Sequence, residues 1–111
     1  MATLSTLVSF NGADGNFSLG NLIVDANGDL LGTTNGGGAA GDGTVFEIAK
    51  TSTGYSSAPA TLVSFNGADG ANSNAGLIAD ANGDLFGTTF GGGVTNWGTV
   101  FAPTGQTRMR A

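Results

Sequence analysis

Apolar residues fall in short clusters along this chain, and each cluster is closed by a turn signal. Leu7–Phe10 runs into Asn11-Gly12; Leu22–Val24 and Leu30–Leu31 flank Asn27-Gly28; Val45–Ile48 follows a glycine-rich loop. None reaches the roughly ten residues a helix needs, and threonine, valine and phenylalanine suit strands. The pattern predicts four short strands per unit. Asn27-Gly28 between two apolar runs predicts a two-residue hairpin of type I′, whose central residues both take positive φ. That turn sets Val24 opposite Leu31 and Ile23 opposite Gly32, and later in the chain Ala79 opposite Phe86 and Ile78 opposite Gly87. Both faces of such a sheet are apolar, so both require cover.

The same pattern occurs twice. Residues 6–15, TLVSFNGADG, return unchanged at 61–70, and residues 6–46 match 61–101 at 29 of 41 positions with no gap. The repeats run from about 6 to 60 and from 61 to 104, followed by a tail at 105–111. Four-stranded antiparallel units stacked face on face cover both faces of each sheet, which points to an all-β fold of β-propeller blades or, less well, a linear solenoid. The 55-residue spacing exceeds the roughly 40–50 of familiar propeller repeats, and Lys50–Ala60 takes up the excess as a connector. Gly36–Gly38 and Gly91–Gly93 suit crossings where two backbones come close.

Composition narrows the chemistry. Glycine is 21 of 111 residues, but 40% of the chain is hydrophobic, enough to fold. With no histidine and no cysteine, disulfides, cysteine nucleophiles, histidine acid–base catalysis and ordinary zinc sites are excluded. A net charge of −5 argues against nucleic acid, and no apolar stretch is long enough for a membrane span. No cofactor is required.

The block order SFNGADG…GLIADANGDLFGTTFGGG…GTVF resembles the GloVer repeat, a tandem motif of bacterial proteins that are often surface-anchored. Both copies carry it, over residues 6–46 and 61–101. Asp29 and Asp84 stand where that pattern favours asparagine, Leu31 and Phe86 where it favours tyrosine, and Asn21 replaces the glycine kept as Gly76. The resemblance implies a propeller-like array, no catalytic residue, and an extracellular or surface setting for full-length relatives. Met1-Ala2 leads into the first strand with no signal-peptide pattern.

Two units are few for a repeat array, since at least three are generally needed and closed propellers use about four to eight blades. In strand order, Leu4–Phe10 is a fourth strand without its first three, and Thr99–Ala102 a third strand without its fourth. A head-to-tail homo-oligomer resolves both: Leu4, Leu7, Val8 and Phe10 of one chain complete the last blade of the next. Three chains giving six blades are favoured over two or four, and a contact that fails to close makes a filament.

Candidate binding residues are weighed beside structural readings. Asp25, Asn27 and Asp29, with their copies Asp80, Asn82 and Asp84, place oxygens at the i, i+2 and i+4 spacing of calcium ligands. They lack the glycine and glutamate of an EF-hand loop, so turn-stabilising aspartates are the leading reading. Asn11–Gly15 and 66–70 allow the same pair of readings. Phe90 and Trp97 bracket Gly91–Gly93 and have no aromatic counterpart in the first copy; they either stack on a sugar or peptide, as in a multivalent lectin-like binder, or pack against a neighbouring blade. Arg108 and Arg110 sit in the tail outside the repeat.

Overall fold

The computed structural model describes residues 3–82 and 84–103, so the tail at 105–111, with Arg108 and Arg110, lies outside the described residues. Among the described residues there are nine short strands: β1 (Ile23–Val24), β2 (Leu30–Thr34), β3 (Thr44–Ile48), β4 (Lys50–Thr51), β5 (Gly54–Tyr55), β6 (Ala60–Ser64), β7 (Ile78–Ala79), β8 (Leu85–Thr89) and β9 (Thr99–Phe101). Among the described residues there is no helix. The sheets are antiparallel, in the orders β1-β2-β3-β6, β4-β5 and β7-β8-β9. The protein is therefore all-β. Among the described residues the first sheet has four strands and the second unit three, where four are expected of each.

The fourth strand of the first sheet is supplied by the second repeat. β6 carries the TLVS that opens that repeat, yet it pairs with β3, setting Thr44 opposite Ser64 and Val45 opposite Val63, with a bulge between Val45 and Phe46. Immediately after β6 the chain leaves for the second sheet, where the Phe65 ring meets Phe101 edge-on at 5.0 Å. Residues 3–10 carry the equivalent sequence but form no strand, contrary to expectation. A strand needs a neighbouring edge for its ladder, and the outer edge of β3 is already taken by β6. Phe10 nevertheless holds its repeat position, edge-on to Phe46 at 5.0 Å. Thr6, Leu7 and Val8 lie along a groove of about 420 Å³ that Leu22, Leu30 and Ile48 also line.

The hairpin register differs by one residue from the expected one. Ile23 faces Leu31 and Val24 faces Leu30; Ile78 faces Phe86 and Ala79 faces Leu85. The loop has three residues rather than two. Gly28 N donates to Asp25 O at 3.0 Å, Asp25 N donates to Asp29 O at 3.0 Å, and Gly28 has φ +84° while Asn27 stays negative. That is a type I turn followed by a left-handed residue, the usual three-residue hairpin loop. The Asp25 carboxylate selects it by accepting bonds from both Asn27 N and Asp29 N. The 50–60 connector is structured too, as the β4-β5 hairpin, with the Lys50 ammonium 5.9 Å from the Tyr55 ring centre.

The expected glycine crossing is present. A side chain at Gly37 would run into Gly12 O and the Gly15 backbone, so the NGADG turn and the GGG loop cross in direct contact. Leu31 and Val45 of the first unit and Phe65, Leu77 and Leu85 of the second form one buried cluster. The core is thus the seam between the two units.

Candidate functional site

Three places hold the residues that the sequence singles out. The first is the pair of aspartate hairpins. Asp25 Oδ1 accepts from Asn27 N at 2.9 Å and Asp29 N at 3.0 Å, and Asp80 Oδ1 accepts from Asn82 N and Asp84 N, each at 2.9 Å. In each loop the first carboxylate therefore binds its own backbone. Asp29 Oδ1 reaches further and accepts from Lys50 N at 2.8 Å, fastening the start of β4. The NGADG turns are closed the same way: Asn11 N donates to Asp14 Oδ1 and Asp14 N to Asn11 Oδ1, with Asn66 and Asp69 repeating the exchange.

The first hairpin gathers a residue that sequence reading missed. Glu47, fully buried on β3, brings a carboxylate oxygen to Asp25 and Asp29 so that one oxygen from each lies within 4.8 Å of the others. Asp25 Oδ2 is a buried atom with no hydrogen bond. Asn27 is not part of this group, and the equivalent of Glu47 in the second unit is Ala102, which carries no carboxylate. Three carboxylates supply hard-oxygen donors, but fewer than the roughly six to eight ligands calcium takes. A glutamate inside the apolar strand Thr44–Ile48 was the one available signal, since a charge at a core position needs a reason.

The second place is the aromatic loop. Phe90 and Trp97 do come together, lining a cleft of about 600 Å³ with Asn74, Ala75, Thr88 and Asn96. Trp97 is 87% exposed, and Phe90 is exposed beside it.

The third place is the edge of β9 that no described residue pairs with. Val100 is 79% exposed there, whereas the equivalent Val45 is fully buried beneath β6 and the second unit. Leu4 and Leu7 are exposed at the other end of the molecule, with Val8 and Phe10 partly covered.

Compared with known families, residues 1–110 match the one described as the Gloeobacter/Verrucomicrobia repeat. No curated protein and no solved structure matches the chain.

Proposed function

The chain belongs to the Gloeobacter/Verrucomicrobia repeat family, and from that premise we propose that it is a non-enzymatic structural module that assembles head to tail with copies of itself. One observation carries the reading: the outer edge of β3 is occupied by a strand from the start of a repeat, while among the described residues nothing pairs with the equivalent edge of β9 and residues 4–9, whose 6–9 repeat the sequence of 61–64, form no strand. Each copy holds one strand too many at one end and one too few at the other. Residues 4–9 of one copy add to β9 of the next, completing a four-stranded blade. If the rotation between copies closes, the product is a propeller of four, six or eight blades from two, three or four chains, with six favoured; otherwise it is a filament.

Shifting the β3–β6 register by one repeat sets Val8 of one copy opposite Val100 of the next. The chain has no cysteine, so Val8→Cys with Val100→Cys gives a clean probe. Oxidation of the double variant should link chains into species ending at the closed ring, while either single variant should form no chain ladder. A monodisperse monomer at every concentration, with no crosslink, would sink the proposal.

The exposed Trp97 and Phe90 in their cleft favour a second reading, a multivalent binder of carbohydrate or peptide. Glycan-array binding that is lost in Trp97→Ala would support it. Binding without oligomerisation would favour it over the first.

A further inference from the structure

The unit-to-unit contact inside the chain is a template for the contact between copies, and it differs from what the outer faces carry. Within the chain, Asn72 N donates to Asp42 O at 2.8 Å and Asn72 Nδ2 to Asn35 O at 2.9 Å; Asn35 Nδ2 donates to Asn74 Oδ1, and Thr33 Oγ1 to Ala75 O at 2.8 Å. This seam is polar. Moving one repeat along puts Phe17 at the place of Asn72, Leu19 at that of Asn74, Phe90 at that of Asn35 and Trp97 at that of Asp42. At these four positions a polar residue gives way to an apolar one, on both sides of the contact at once, while Thr33 keeps its hydroxyl as Thr88. All four replacements are exposed in the single chain.

Burial follows the same logic. Leu77, covered by the first unit, is 3% exposed, whereas its equivalent Leu22 is 49% exposed. Phe17 adds an independent sign. It takes φ 54°, a left-handed backbone that Asn72 (φ 61°) adopts easily and that an aromatic residue disfavours. An exposed, strained phenylalanine marks a position kept for something other than the stability of the lone chain.

We propose that two copies meet through an aromatic junction in which the Phe17–Leu19 segment of one copy enters the cleft formed by Phe90 and Trp97 on the next. The inference rests on the head-to-tail reading and adds to it which side chains hold the copies together. The occupant is a second copy because apolar residues on each face answer apolar residues on the other, position by position. One difference between the two seams follows from size. A side chain at Gly20 would overlap the Ala75–Gly76 backbone, and one at Gly76 would overlap Asn21; between copies those positions are Ala75 and Asn21. The junction between copies is therefore wider than the one within the chain, and the larger aromatic side chains fill the added space.

Trp97 is the single tryptophan, so its fluorescence reports the junction directly. In the wild-type protein its emission should shift to the blue as assembly proceeds and return to the red on dilution. The double variant Phe17→Asn/Leu19→Asn restores the residues the second unit carries at 72 and 74. It should keep the far-UV spectrum, associate about 30-fold or more weakly, as loss of a central interface anchor does, and leave Trp97 emission red at concentrations where the wild type is assembled. If the wild type assembles while Trp97 emission stays that of an exposed indole, or if the double variant assembles as tightly, the junction is wrong and the strand exchange stands. If the wild type is a monomer throughout, both fail.

Discussion

Phe17 and Glu47 are the two residues whose placement carries a cost in the isolated chain, and each permits a direct measurement. Phe17 holds a left-handed backbone without burying its ring, so Phe17→Asn should raise the stability of the unassembled protein by about 1 kcal/mol. Urea unfolding at low protein concentration measures this, and the gain should vanish or reverse where the wild type is assembled. Glu47 lies fully buried with its carboxylate near those of Asp25 and Asp29. Carboxylates gathered this closely repel one another wherever they are charged. Glu47→Gln keeps the shape and removes one charge, so in chelator at neutral pH its melting temperature should rise. Added calcium should stabilise the wild type more than Glu47→Gln only if the three carboxylates take up the ion; equal curves with and without calcium would remove the calcium reading. Glu47 was not legible as a partner of Asp25 and Asp29, because nothing in the spacing of 25, 29 and 47 reveals that β3 runs beside the β1–β2 hairpin.

The strands themselves were largely legible, since short apolar runs between glycine turns have few alternatives. Their register was not. Asn-Gly carries equal weight for a type I′ turn and for a type I turn closed by a left-handed glycine, and the choice is made by the Asp25 carboxylate, whose two backbone bonds favour the longer loop. The difference is measurable. In the observed loop only Gly28 has positive φ, so Gly28→Ala should cost about 1 kcal/mol and Asn27→Ala clearly less. A type I′ turn would need both positions left-handed, and the two costs would converge. The N-terminal strand shows the opposite relation between sequence and structure. Residues 4–9 were legible as a strand and are not one here, because strand character is a property of an edge as much as of a sequence. Four matching residues, 6–9 and 61–64, end in different states for want of a partner.

At the level of the molecule, the count of two units and the mismatch of strands followed from the repeat alone. Which residues meet across the seam within the chain did not, since Asn72 and Asn35, whose side-chain amide and backbone carbonyl bond there, are 37 positions apart and no pattern in the sequence pairs them. The same geometry governs where the protein opens. β3 lies between β2 and β6, with Val45 and Phe46 in the core, while among the described residues β9 has only β8 beside it. In dilute solution amide exchange should be slow in Phe46 and Val45 and fast along the outer edge of β9, since protection follows covered backbone bonds. Raising the protein concentration should protect Thr99–Phe101 and residues 5–9 together and leave Thr44–Ile48 unchanged. Because each copy carries a net charge of −5, copies repel at long range, and added salt up to about 0.15 M should strengthen the contact by screening that repulsion. Joint protection of the two segments, enhanced by salt, is what strand exchange between copies requires. Protection of β9 without residues 5–9 would mean that something else covers the open edge.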